Sequence, residues 1–232
     1  MNSLDLLSLH PGGTALTLYA ARAAGLSPGD EILDIGCGTA SSLRVLKEEF
    51  GIVPHGIDIS ADVIRHASEM LPEMDLRCGS AYDLPYPDDS FDAVLSECVL
   101  TLLEDPCAAL LESLRVLKTG GILILSGLSV RSSGNSTDAS LSHTGTTTIL
   151  ENNLICPSAL CTFLAENGAE LVLSEDRRHD LTDYVIESIM EYGSLEARIK
   201  SETEKTGTSV FDCDCRYDSH NITYYLQIFR KN

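Results

Sequence analysis

Asp34, Gly36 and Gly38 stand together in the run LDIGCGTA at residues 33–40, and Asp58 follows in GIDIS one helix and one strand later. Two glycines between a strand end and a helix start let the backbone turn tightly and approach a ligand closely. The helix that begins just beyond them offers unpaired N–H groups and the positive end of its dipole to a polar or anionic group. An acid at the end of the next strand is placed to bind ribose hydroxyls. A nicotinamide site would want a third glycine, and position 41 is serine. A carboxylate at Asp34 would repel a diphosphate, but it suits a ligand bearing an ammonium group. A second pair, Glu97 and Cys98 in SECVL, ends an apolar run where a buried strand needs neither a carboxylate nor a thiol. Glu97 could orient or deprotonate a substrate. Cys98 could contact one, although the adjacent carboxylate raises the thiol pKa and disfavours a reactive thiolate.

The elements that must position these residues alternate. Helical spacing falls on residues 14–24, 39–50, 61–71, 106–118 and 157–168, and short apolar runs on 31–35, 53–59, 74–78, 90–96, 122–126 and 169–175. Strands apolar on both faces that alternate with helices predict a parallel sheet covered on both sides. Gly120 and Gly121 are expected to stop the helix before the fifth strand. Residues 129–148 are rich in Ser, Thr and Gly without a period, and a loop of that length is expected to be a lid or disordered. Residues 181–202 read as one long helix or two short ones, and NITYYLQIFRK at 221–231 alternates like a closing strand.

A length of 232 residues suits one domain, spanning 1–232. Its 35 acids against 16 bases give a net charge of −19, which disfavours nucleic acid and anionic membrane as partners. No apolar run approaches the ~20 residues of a membrane span. The N-terminal stretch has no signal-peptide pattern. The eight cysteines lack a disulfide framework and C-x-x-C pairs, so a reducing, cytoplasmic setting is expected. There is no HExxH, G-x-S-x-G or P-loop lysine, so protease, hydrolase and kinase chemistry lack a residue to act.

ILDIGCGTA resembles the first motif of the class I S-adenosylmethionine (SAM)-dependent methyltransferases, GIDIS the second, SAYDLPYPDDSFDAVLS the third and fourth, and RVLKTGGILILS the turn into the fifth strand. The resemblance is dense over residues 28–128. It implies an α/β fold: a Rossmann-like three-layer αβα sandwich whose mostly parallel seven-stranded sheet has an antiparallel last strand. Residues 1–27 would form a capping helix, 28–128 the SAM-binding core, and 129–156 with 176–221 the substrate side. SAM would be the cofactor and S-adenosylhomocysteine the product. Gly36 and Gly38 would line its methionyl part beside Asp34, with Cys37 packing within the same turn. Asp58 would bind the ribose, with Ile59 against the adenine and Ser80 and Ala81 at its edge. Many relatives have Asp where this chain has Ser80, and Ala40 replaces a frequent third glycine.

Within that family, SECVLTLLEDPCAALLESLRVLKTGG is most similar to the arsenite methyltransferases, which have a substrate-binding cysteine at this strand end. A soft thiolate suits a soft metalloid, but a site needs two or three. Cys98 with Cys156, and Cys213 with Cys215 in a C-x-C pair, are the candidate ligands; no metal site is otherwise expected. HPGGTALT and MEYGSLEA match a second, poorly characterised set of methyltransferases, in which the N-terminal helix would cover SAM. His10 or Tyr19 would then reach the pocket, with His10 read as a helix-entry residue. Three functions are carried forward: methylation of a small-molecule acceptor, methylation of a metalloid or thiol, and SAM binding without catalysis. The chain is expected to be a monomer or homodimer.

Overall fold

A computed structural model describes residues 10–130, 149–151, 154–206 and 222–232. Parallel strands β1 (Glu31–Ile35), β2 (Val53–Asp58), β3 (Asp75–Cys78), β4 (Phe91–Glu97) and β5 (Leu117–Val130) run in the order β3-β2-β1-β4-β5. A short hairpin, β6 (Leu150–Glu151) with β7 (Leu154–Ile155), continues past the end of β4 and pairs with β5 at Ser129. Antiparallel β9 (Ile222–Lys231) lies between β5 and β8 (Ala169–Asp176). The seven expected strands are therefore present, with the last one antiparallel, and the hairpin brings the sheet to nine.

The helices are α1 (Gly13–Ala24), α2 (Ser41–Phe50), α3 (Ala61–Met70), α4 (Pro106–Val116), α5 (Pro157–Glu166), α6 (Arg178–Tyr192) and α7 (Leu195–Thr206). Alternation of side chains along each strand sends apolar groups to both faces of the sheet. Ile32, Leu95 and Ile124 pack with Leu16 of α1 and Leu43 of α2 on one face. Leu33, Val94 and Leu123 pack with Leu110 of α4 and Leu160 of α5 on the other. Each such leucine contributes roughly 2 kcal/mol through loss of contact with water. These two apolar layers are the physical content of the three-layer sandwich.

Local sequence sets most boundaries. Ser60 accepts from Val63 N and Asp105 from Ala108 N, capping α3 and α4. Gly193, at φ 84°, separates α6 from α7, so residues 181–202 form parts of two helices. One boundary differs from expectation. The helix before β5 ends at Val116, ahead of the glycines, because Leu117 already pairs with Phe91. Residues 118–121 then bulge opposite Asp92 before pairing resumes at Ala93 and Ile122. A Cβ at Gly121 would lie 2.8 Å from Lys118 O and 3.0 Å from Asp92 O, so the glycine serves a bulge and not a helix stop. Most of the expected lid at 129–148, with Cys213 and Cys215, lies outside the described residues. Among the described residues, no helix is long and apolar enough to cross a membrane.

Candidate functional site

The carboxyl ends of β1, β2 and β4 open into one cavity of about 590 Å³, a size typical of small-molecule sites. The turn after β1 forms its floor. Gly36 has φ 77°, and a Cβ there would lie 2.3 Å from Val99 Cγ2, so both conformation and space require glycine. Gly38 has φ 53° and nothing within 4 Å of an added Cβ, which leaves its backbone open to a ligand. Ala40 adopts φ 60° before α2, a left-handed conformation that disfavours any side chain by about 1–2 kcal/mol. That is the physical reason a glycine suits this position. The Cys37 thiol turns away toward the sheet, where a Cβ on Gly56 would meet its Sγ at 2.7 Å.

Asp58 accepts from Gly38 N (3.1 Å) and Ser60 N (2.9 Å), so the glycine turn and the entry to α3 share one carboxylate. Ile59 stands 76% exposed on the rim, an apolar surface without cover. Ser80 and Ala81 border the same end, where Ser80 Oγ accepts from Tyr82 N. Leu102, also on the rim, is exposed.

At the opposite end a buried polar cluster gathers around Glu97. Thr17 of α1 donates to Glu97 Oε1 (2.9 Å) and Ser42 of α2 donates to Oε2 (2.6 Å). His10 Nε2 lies 3.3 Å from Oε2, an ion-pair distance, without the alignment of a hydrogen bond. Its Nδ1 is oriented by Pro11 O at 3.1 Å. Burial alone would raise the Glu97 pKa, but the His10 charge and the two hydroxyl hydrogen bonds hold it below its usual value. Burial would lower the His10 pKa, and Glu97 instead holds it above 6.5. Each partner thus favours the ionic form of the other. Asp34, buried nearby, is pushed well above the usual carboxylate range by desolvation and then by the Glu97 charge.

Cys98 also lines the cavity, with φ 59°, an uncommon conformation for a non-glycine residue. Its Sγ lies 3.1 Å from Tyr224 Oη of β9, which in turn lies 3.2 Å from Ser126 Oγ. Burial pushes the thiol up to about 12, with the Glu97 charge adding to the shift, so it carries no thiolate at neutral pH. Cys156 caps α5 beside Ser158 and is not among the residues lining this cavity. Among the described residues, no group of three His, Cys, Asp or Glu side chains could hold a metal ion. Of the N-terminal candidates, Tyr19 faces outward to Glu175 (2.6 Å), whereas His10 lines the cavity. His10 stands at the entry to α1, its carbonyl accepting from Gly13 N, and is in addition the partner of Glu97. Glu175 accepts from Tyr19 and Asp176 from Thr223 at the edge of β8.

Sequence reasoning brought Asp34, Gly36, Cys37, Gly38, Asp58, Ile59, Ser80, Ala81, Glu97 and Cys98 to this neighbourhood, and all ten line the cavity. It missed Thr17 and Ser42, whose hydroxyls carried no local signal, and Tyr224, which read only as a strand residue.

Comparison with known proteins matches residues 33–125 to a family model described as a methyltransferase domain. The chain is 38% identical over 104 residues to the 2-methyl-6-phytyl-1,4-hydroquinone methyltransferase of Synechocystis sp., covering 43% of this chain and 32% of that protein. It therefore spans about a third of that relative's length. Among solved structures it resembles the [4+2]-cyclase SpnF, with TM-score 0.66 and 26% identity over 94% of this chain and 81% of the other. It also resembles phosphoethanolamine N-methyltransferase 2 of Haemonchus contortus in complex with SAM, with TM-score 0.71 and 19% identity over 96% of this chain and 54% of the other.

Proposed function

We propose that this chain, which carries a methyltransferase domain over residues 33–125 on a Rossmann-like class I fold, binds SAM in the cavity and methylates a small-molecule acceptor. The observation that carries the proposal is the convergence in one cavity of an open glycine turn, a strand-end acid and a buried carboxylate pair. The residues fit the cofactor: Gly38 leaves room for backbone approach, Asp58 stands where a ribose would bind, and Ile59 offers an uncovered face to a base. Glu97, held toward its ionised form by its partners, supplies negative charge for an ammonium or a sulfonium, and Asp34, whose carboxyl burial holds toward the neutral form, would gain its charge on meeting an ammonium. Bound SAM would supply a methyl activated by its sulfonium, whose S–C bond breaks as the acceptor–C bond forms, leaving the electron pair on the sulfur of S-adenosylhomocysteine. The protein's share is alignment and exclusion of water.

Glu97 serves in this reading as a fixed anion that orients charge. Its lowered pKa and its contacts with Thr17, Ser42 and His10 make it a poor proton acceptor. Cys98 contributes shape and its contact to Tyr224. An organic acceptor is favoured over a metalloid, because the cavity brings no second described substrate-side thiol to Cys98. The described cysteines form no disulfide with one another, which is compatible with a cytoplasmic setting. A monomer or homodimer is compatible with this reading.

The similarity to a protein described as a cyclase keeps a different chemistry on this fold in play. The test is to incubate the protein with SAM and the small-molecule fraction of a cell extract and quantify S-adenosylhomocysteine. Product that depends on extract and is lost in Asp58→Ala supports the proposal. Tight SAM binding with no product from any fraction overturns methyl transfer and leaves a binding or rearrangement role.

A further inference from the structure

Cys98 is a single-residue bend in the cavity wall. Glu97 ends β4, Cys98 has φ 59°, and Val99 returns to right-handed helical backbone. Glu97 is thereby sent toward α1 and α2, and Val99 onto the glycine turn, where its Cγ2 fills the space that a Cβ on Gly36 would need. A residue with a side chain is disfavoured in that conformation about tenfold in population, so the surrounding structure must hold it there. The holding groups come from β5 and β9. Cys98 N donates to Ser126 O at 2.8 Å. Tyr224 Oη lies 3.1 Å from Cys98 Sγ and 3.2 Å from Ser126 Oγ. On the other face of the sheet, a Cβ added to Gly127 would lie 3.4 Å from Tyr225 Cε1 and 3.8 Å from Cys98 Cα. Tyr224 is fully buried and does not line the cavity. A ring alone would fill that core, and a buried hydroxyl costs free energy unless it is bonded. The contacts of this hydroxyl are therefore the reason for a tyrosine here.

We propose that Tyr224 is a positioning residue for the glycine turn: its hydroxyl restrains Cys98 in the left-handed bend, and the bend seats Val99 against Gly36. The assignment rests on the SAM-binding reading above, because the bend shapes the cavity that would receive the cofactor. The route crosses four neighbouring strands in order. It runs from Tyr224 on β9, past Ser126 on β5, to Cys98 after β4 and Gly36 after β1. The last strand of the chain thus helps to build a site whose glycines lie near its start. Tyr224 acts only through Cys98 and takes no part in bond making or breaking.

The test is a double-mutant cycle of wild type, Tyr224→Phe, Cys98→Gly and the double variant, read by calorimetric titration with S-adenosylhomocysteine. Phenylalanine keeps the ring and removes the hydroxyl, and glycine adopts the bend without restraint. Tyr224→Phe should weaken binding about fivefold, the effect of one neutral hydrogen bond. The same change on the Cys98→Gly background should alter affinity by less than about twofold. Equal losses in both backgrounds would show that Tyr224 acts without Cys98, as an ordinary core residue would, and overturn the proposal. So would unchanged binding in Tyr224→Phe, or failure of that variant to unfold cooperatively in urea. Loss of binding in Cys98→Gly would do the same, since the bend would then be present and insufficient. Timed iodoacetamide labelling of the ligand-free protein reads the restraint directly. Cys98 should react at least threefold faster in Tyr224→Phe, with the exposed Cys78 unchanged, and an unchanged Cys98 rate overturns the proposal. A wild type that binds no S-adenosylhomocysteine refutes the SAM reading, and the labelling rates still decide whether Tyr224 restrains Cys98.

Discussion

Thr17 of α1 and Glu97 at the end of β4 stand 80 residues apart in sequence and meet through a 2.9 Å hydrogen bond, the hydroxyl donating to Oε1. Ser42 of α2 donates to the other oxygen. One buried carboxylate thereby joins the sheet to two helices on the same face. The N-terminal helix is held against this end of the sheet by this bond as well as by the packing of Leu16 and Ala20.

Replacing Thr17 with valine keeps the shape and removes the donor. A hydrogen bond to a charged buried group contributes about 1.5–3 kcal/mol, so Thr17→Val should be destabilised by that amount in urea unfolding. A change below about 0.5 kcal/mol would mean that Glu97 is satisfied without α1.

The ion pair of His10 with Glu97 sets a pH window. The folded pKa of His10 lies above 6.5, so its contribution is complete below 6.5 and fades as pH rises through the raised value. The folded pKa of Glu97 lies below 4.5, so its contribution is complete above 4.5 and fades as pH falls through the lowered value. Both act in full between 4.5 and 6.5. Asp34 on β1 faces the same imidazole, and Asp180 of α6 lies against Gly12 two residues away, so both are part of its surroundings. The stability gap between wild type and His10→Gln should be about 3 kcal/mol at pH 5.5 and shrink above pH 8. Urea midpoints at the two pH values decide this, and a gap independent of pH would rule out the ion pair.

Asp34 has the opposite sign. Its raised folded pKa means the fold loses stability as pH climbs above 3.8 toward that value, after which the penalty is constant. Asp34→Asn should therefore be neutral near pH 4 and stabilising by about 1–2 kcal/mol at pH 8, while SAM affinity falls at least tenfold. Thermal melts with and without SAM measure both effects. A destabilised variant at pH 8 would show that the carboxylate is structural.

Cys98, with its thiol pushed up to about 12 and 3.1 Å from Tyr224 Oη, should resist alkylation by iodoacetamide at pH 7.5. The exposed Cys78 provides the comparison within the same molecule. Peptide mass spectrometry after timed labelling should find Cys78 modified at least tenfold faster. Cys98→Ser should change turnover on an organic acceptor by less than about threefold. Arsenite-dependent turnover that collapses in Cys98→Ser would instead establish the metalloid reading.

Much of the glycine-turn end of the cavity was legible from residue order alone. Gly36, Gly38 and Asp58 obey local rules: a strand of period two, a turn that requires positive φ, and a helix of period 3.6, each read within a short window. The same locality explains a misreading. Gly120 and Gly121 carry the signature of a helix stop, but their geometry answers to Asp92 on the neighbouring strand, which no window around them contains.

The sequence by itself determined the alternation of elements, the glycine turn and the acids that follow it. Only the tertiary structure decided how the other end of the cavity is built. Glu97 is bonded to residues 80 and 55 positions away, and Cys98 contacts Tyr224 at a separation of 126. His10 became the partner of a buried carboxylate because α1 folds back across the end of β4. Burial then set its charge, and that of Asp34 beside it, because the free energy of a charge depends on what surrounds it and not on its neighbours in the chain.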